Sequence, residues 1–173
     1  MEKGIKLETE RLILIPLTYD QVQKYLRNDL SLEMELGVET QPREISPALK
    51  EALEETFLPM LADPAKNYLY CTLWTIVLKS ENRMVGDLCI TGEPKDGEIE
   101  IGYGTYTAHQ GRGYMVEAVG GLVNWALGQQ EVKSVYASTE KTNLASRHIL
   151  LKNRFKLIRE NGDLYEFRIE API

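Results

Sequence analysis

A chain of 173 residues with 43% hydrophobic and 27% charged residues has the size and composition of one globular domain, which excludes a disordered polypeptide, a collagen-like repeat and a coiled coil. Twenty Lys and Arg against 26 Asp and Glu give a net charge of −6 with no basic tract, so the electrostatic footprint of a nucleic-acid partner is missing. The longest apolar runs are short and interrupted by polar residues, and residues 1–4 open no signal-peptide pattern; the expectation is a cytoplasmic protein with no membrane partner.

Residues 12–15 form an apolar run ended by Pro16, and Thr18 with Gln21 makes a capping-box pattern ahead of Val22, Tyr25 and Leu26, which predicts a strand and then a helix. Periodicity is poor from Asn28 to Pro47. Ser46 and Pro47 then offer an N-cap followed by proline, and Leu49, Ala52, Leu53, Thr56, Phe57 and Met60 recur at helical spacing. Residues 69–91 are β-branched and aromatic around a turn at 80–82, which predicts a hairpin. Cys71 and Cys89 lie in these strand-like runs without disulfide or metal-ligand spacing and read as buried thiols. His109 and His148 lack a ligand context, so no metal is expected.

Residues 98–107 alternate, with Ile99, Ile101 and Tyr103 on one face and Glu98, Glu100, Gly102 and Gly104 on the other. After Gly113 the period lengthens, and Met115, Ala118, Val119, Leu122, Val123 and Ala126 stripe one side of a helix. Residues 135–139 read as a strand, 143–153 as a helix, and 155–158 with 164–169 as a closing strand pair around a turn at 161–163. The order β-α-α-β-β-β-α-β-α-β-β predicts an α/β fold in a single domain spanning residues 1–173.

The segment Gln110-Gly111-Arg112-Gly113-Tyr114-Met115 joins the end of one strand to the start of the striped helix. N–H groups at a helix start have no intrahelical partner, and the aligned peptide dipoles add partial positive charge, so such a turn suits a phosphate or pyrophosphate. Glycine lets the anion approach the backbone, although Gly-x-Gly alone describes a ligand-free tight turn equally well. No Gly-Lys-Ser/Thr follows, and the third glycine of a dinucleotide fingerprint is missing.

With that loop in place the sequence resembles the GNAT superfamily of acetyl-CoA-dependent N-acetyltransferases, whose pyrophosphate loop reads Gln/Arg-x-x-Gly-x-Gly/Ala; Gln110, Gly113 and Met115 hold those places. It is similar in particular to the branch that includes ribosomal-protein N-terminal acetyltransferases. That likeness is carried, in order along nearly the whole chain, by Leu7-Glu8-Thr9-Glu10-Arg11-Leu12, Glu100-Ile101-Gly102-Tyr103, Gly113-Tyr114 with Glu117-Ala118, and Asn143-Leu144-Ala145-Ser146. The resemblance implies a mixed, mostly antiparallel central sheet flanked by helices, and acetyl transfer from acetyl-CoA to a primary amine by direct attack in a ternary complex. By the same resemblance, Gln110, Gly111, Arg112, Gly113, Tyr114 and Met115 would bind the pyrophosphate, and pantetheine would lie along residues 98–107, bonded to backbone near Tyr103 and Thr105. Asn143 would meet the pantetheine amides. Ser146, one helical turn on, is the candidate to protonate the leaving sulfur. Glu100, on the strand face of Gly102 and Gly104, is the candidate base, with Glu98 as its substitute and His109 as a solvated turn residue.

Three departures stand out. Met115 replaces a small loop residue, Arg154 stands where the family usually has glycine and predicts a strained or altered helix exit, and Leu150 occupies the place of a tyrosine acid found in many relatives. The last two support a second reading, a catalytically silent acyl-CoA-binding sensor or interaction module on the same fold. Residues 28–66 would shape the acceptor cleft, and their carboxylates, Glu33, Glu35, Glu39, Glu44, Glu51, Glu54 and Glu55, either favour a cationic amine or form a solvated face. Protein N-terminus, polyamine, amino sugar and amino acid all stay open as acceptors, as does homodimer formation.

Overall fold

Eight strands form one sheet in the computed structural model, which describes residues 4–173. They are β1 (Leu7–Glu8), β2 (Leu12–Pro16), β3 (Leu73–Leu78), β4 (Arg83–Ile90), β5 (Glu98–Thr105), β6 (Ser134–Glu140), β7 (Lys156–Asn161) and β8 (Leu164–Glu170), in the spatial order β1-β2-β3-β4-β5-β6-β8-β7. Every neighbouring pair is antiparallel except β5 and β6. The mixed, mostly antiparallel sheet implied by the resemblance is therefore the one observed.

The parallel pairing of β5 with β6 lasts only from Glu98 to Glu100, against Ser134 to Tyr136. Beyond Glu100, β5 keeps β4 as its partner, through Ile101–Thr105 against Gly86–Ile90, while β6 stays with β8. Thr91 N–H donates to the Glu100 carbonyl and Tyr106 N–H to the Val85 carbonyl, which fixes the even-numbered backbone groups on the β4 side. Alternation along a strand then turns the N–H and C=O groups of Ile101, Tyr103 and Thr105 toward the opposite edge, where β6 has diverged. The sheet is split there, and the split exposes backbone hydrogen-bonding groups to whatever enters it.

Helices cover both faces. On one face α5 (Tyr114–Leu127) and α6 (Leu144–Lys152) pack, and the predicted stripe of Met115, Ala118, Val119, Leu122, Val123 and Ala126 is buried with Ile99 and Ile101. Each fully buried aliphatic side chain of this kind contributes roughly 1.5–3 kcal/mol. A Cβ on Gly121 would lie 2.8 Å from the Thr9 methyl group, so the glycine in mid-helix lets α5 pack tightly on the start of the chain. The opposite face carries α1 (Tyr19–Arg27), α2 (Ser31–Leu36), α3 (Pro47–Ala52) and α4 (Leu58–Leu61), with Val22, Tyr25, Leu32, Leu53 and Phe57 buried against Leu73, Val77 and Met84. Among the described residues no helix is long and apolar enough to cross a membrane.

The Thr18 capping box and the Ser46 cap form as their sequences predict. Three features differ from the sequence reading, and a fourth, the altered helix exit at Arg154, is as it predicts. Helix α2 forms inside the aperiodic stretch, since its six residues, bounded by Leu30 and Gly37 at φ 70°, are too few to show a period. The expected single helix after Ser46 runs unbroken to Leu61 but contains a widened turn at Leu53–Phe57, where Pro59 cannot donate to the Glu55 carbonyl. Cys71 is buried but precedes β3 rather than lying in a strand, and Cys89 in β4 is half-buried. Arg154 takes φ 65°; Phe155 N–H bonds the Leu150 carbonyl and Arg154 N–H that of Leu151, so α6 ends in a Schellman turn with arginine in the position glycine favours.

Candidate active site

Gly111 and Gly113 adopt φ 76° and 77°, a region that side chains disfavour, and they turn the chain from β5 into α5. Gln110 Nε2 donates to the Thr105 carbonyl at 3.3 Å, tying the loop to the end of β5. The loop is braced from the start of the chain: Glu117, in the first turn of α5, accepts hydrogen bonds from the Thr9 hydroxyl, the Arg11 N–H and the Arg11 guanidinium. Burial works to raise the Glu117 carboxyl, but these donors outweigh it and hold the group below its ordinary value. Arg11 also donates to the Arg112 carbonyl and lies 4.8 Å from the Tyr114 ring centre. The Leu7–Leu12 segment and Glu117 therefore act together to fix the loop, a role the sequence left unexplained.

The loop closes one end of a cleft of about 580 Å³ on the α5 face, which runs past the edge of β5 to the start of α6. Tyr103, Thr105, Gln110, Gly111, Arg112, Gly113, Tyr114, Met115, Asn143 and Ser146 all line it, so ten of the predicted site residues are brought together. Met115, the departure from a small residue, packs its side chain largely into the core. Asn143 caps α6 by accepting the Ser146 N–H at 3.1 Å, which leaves its NH₂ group free to donate. Leu150 is fully buried in the core and has no place in the cleft.

Ser146 Oγ lies 2.8 Å from the Tyr103 hydroxyl, a pairing that sequence reading missed because it joins residues 43 positions apart. Burial pushes the Tyr103 phenol up, partly countered by the bond to Ser146, so the phenol keeps its proton near pH 7, and both residues line the cleft.

On the opposite face a second cavity of about 1100 Å³ lies between β4, β5 and the loop before α3. The two spaces share Tyr103, Gly104, Thr105 and His109, so they meet at the split in the sheet. Of the seven glutamates in residues 28–66, Glu44 alone lines this cavity. Glu33 is instead fully buried against Arg43 at 2.7 Å, and Arg43 also donates to the Tyr25 carbonyl and stacks on the Tyr25 ring. The carboxylate at the cavity floor is Asp87, whose Oδ2 accepts the hydroxyls of Tyr25 at 2.6 Å and Tyr106 at 3.1 Å. Burial raises Asp87 to about 6 despite those two donors. The one signal for it in the sequence was an aspartate among apolar residues of a strand.

Glu100 shares the face of Gly102 and Gly104 but is exposed and lines neither space. Burial, followed by the nearby Glu98 and Glu166 charges, raises its carboxyl. Glu98 is engaged by Arg168 and Ser134, and the Arg168 bond first of all holds it below the ordinary range, which makes it a poor base. His109 is half-buried rather than fully solvated, and its Nδ1 has no partner among the described residues. No cluster of three or more His, Cys, Asp or Glu that could hold a metal ion occurs among the described residues.

An anion-suited loop at a helix start, a cleft along an unpaired strand edge and a second cavity meeting it through the sheet define an enzyme that joins a phosphate-bearing coenzyme to a second molecule. Residues 11–156 match the acetyltransferase (GNAT) domain family, and the chain belongs to it. It is an acetyl-CoA-dependent acyltransferase. The uncharacterized N-acetyltransferase YjdG of Bacillus subtilis (strain 168) is 31% identical over 167 residues, 92% of this chain and 94% of its own length. Solved structures that share the fold include two acetyltransferases in complex with coenzyme A. One is RimL, a ribosomal L7/L12 alpha-N-protein acetyltransferase in complex with coenzyme A, at 18% identity and TM-score 0.68 over 96% of this chain and 98% of that one. The other is spermidine N-acetyltransferase from Vibrio cholerae in complex with CoA and spermine, at 14% identity and TM-score 0.65 over 94% and 97%.

Proposed function

We propose that this chain moves the acetyl group of acetyl-CoA directly onto a primary amine while both are bound. The observation that carries this reading is the meeting of two spaces from opposite faces of the sheet at Tyr103, Gly104 and Thr105. The pyrophosphate rests on the loop of residues 110–115, pantetheine follows the free edge of β5, and the Asn143 NH₂ group donates to a pantetheine carbonyl. A backbone N–H of that edge, near Tyr103 or Thr105, stabilises the oxyanion as the amine attacks, and holding both reactants together supplies much of the acceleration. Ser146, backed by Tyr103, gives the departing thiolate its proton. Glu100 is the base candidate carried from the sequence, and its place outside the cavity restricts it to exchange through water.

Cys89 bears on the order of events. It lines the acceptor cavity, but burial pushes its thiol up to about 12, which leaves little thiolate to form an acetyl-enzyme. Initial rates measured against both acetyl-CoA and amine test the reading. Intersecting double-reciprocal lines are expected; parallel lines, the mark of a covalent intermediate, would overturn direct attack.

A further inference from the structure

Asp87 lies directly across from Gly104 in the β4–β5 register and therefore on the same face. Gly102 and Gly104 place no side chain between it and the split edge of β5, and a Cβ at Gly104 would meet nothing within 4 Å. Both tyrosine hydroxyls bond one carboxylate oxygen, Oδ2, while Oδ1 is buried without a partner at hydrogen-bond distance among the described residues, as is the hydroxyl of Thr75 across the β3–β4 register, which helps to lower the carboxyl. A buried acceptor left unpaired is costly and needs a reason. Among the groups facing it, Arg43 is paired with Glu33 yet lines the same cavity, keeps an Nε without a partner among the described residues and helps to lower the carboxyl; Thr75 across β3 and Tyr25 from α1 are neutral, and Cys89 beside it holds its proton. The cavity wall combines the apolar Ile45, Ala48, Leu49 and Leu73 with the charged Arg43 and Glu44.

We propose that Asp87, rather than Glu100, receives the ammonium group of the acceptor and takes its proton, so that the cavity selects amines that arrive as cations on an uncharged stem. The inference rests on the acetyl-transfer reading above. One N–H bond of the ammonium breaks and its proton goes to Asp87. The neutral amine then attacks the thioester carbon, the C–N bond forms and the C–S bond breaks. The second proton lost by nitrogen ends on the thiolate through Ser146, and Asp87 returns its own to solvent. A carboxylate raised to about 6 is mostly ionised at neutral pH and a stronger base than an ordinary aspartate, so it accepts the proton in an uphill step that amine attack then draws forward. An α-amino acid would bring a further carboxylate beside Asp87 and Glu44, where the one arginine of the wall is already paired with Glu33, and is disfavoured.

The test compares a straight-chain diamine with an α-amino acid of similar length, using acetyl-CoA and following thiol release across pH. Wild type should prefer the diamine and lose kcat/KM as Asp87 is protonated. Asp87→Asn should lower kcat/KM about 10²–10⁴-fold with an unchanged acetyl-CoA Kd. Its rate should then rise with pH toward the amine's own pKa, because only neutral amine reacts. Should that variant fail to fold, Tyr106→Phe carries the test: it removes a donor that stabilises the carboxylate, so the acid limb moves to higher pH. An Asp87→Asn enzyme with wild-type rates and limb, an unmoved limb in Tyr106→Phe, or an acid limb lost only in Glu100→Gln overturns the inference alone. Wild-type protein that binds acetyl-CoA yet acetylates no amine overturns the parent reading and this one together.

Discussion

Replacing Gly113 by aspartate separates the fold from the coenzyme site. Gly113 caps α5 at φ 77°, where an L-residue costs about 1–2 kcal/mol and aspartate is among the better tolerated. A Cβ there would lie 3.5 Å from Arg11 Nη2, an ordinary contact, so nothing is displaced. The new carboxylate would also sit at a helix N-terminus beside a guanidinium, which returns roughly 0.3–1 kcal/mol. The net change in folding stability is therefore about 1 kcal/mol or less. A bound pyrophosphate experiences something different: two like charges about 4 Å apart repel by about 4 kcal/mol at an effective dielectric of ~20. That corresponds to a loss of about three orders of magnitude in affinity. Calorimetric titration with coenzyme A, paired with thermal melts, measures both quantities. A folded variant that binds coenzyme A within about tenfold of wild type would refute the loop assignment.

Ser146→Ala should lower kcat and kcat/KM together, by about 10²-fold, at nearly constant acetyl-CoA Kd, whereas Asn143→Ala should weaken coenzyme binding first; wild-type turnover in Ser146→Ala removes the acid role. Arg154→Gly should raise stability by about 1 kcal/mol in urea denaturation, because it relieves a left-handed arginine while keeping the Schellman bonds; no gain would mean the turn is unstrained. The folded carboxyl of Asp87 lies above its unfolded value, 3.8 against about 6, so its contribution to stability is full below 3.8 and lost as pH rises through 6. Wild type should therefore lose up to about 3 kcal/mol from this group between pH 4 and 8, and Asp87→Asn should lack that component in pH-dependent melts.

What the sequence disclosed and what it hid follow from how local each signal is. The loop of residues 110–115 was legible because glycines and a change of hydrophobic period are local, and the α5 stripe is buried as its spacing requires. The split in the sheet was not, since β5 loses β6 through pairing between distant segments. Residues 7–12 and Glu117 were visible as a pattern, but their brace spans 106 positions and its purpose emerges only when Arg11 meets Glu117. The acceptor side was illegible for the same reason. Carboxylates counted along residues 28–66 are mostly turned away from the cavity, while Asp87 acquires its setting from Tyr25, 62 positions earlier, and from register with Gly104. Glu100 had the correct strand face and stands outside the cavity on it.

Isotope tracing of the acetyl group tests the central claim most directly. Protein incubated with acetyl-CoA labelled in the acetyl carbon and a saturating primary amine should yield labelled amide and free thiol in equal amounts, with no label left on the protein. Label retained on the protein, or thiol released with labelled acetate and no amide, would contradict direct transfer at the meeting point of the two cavities.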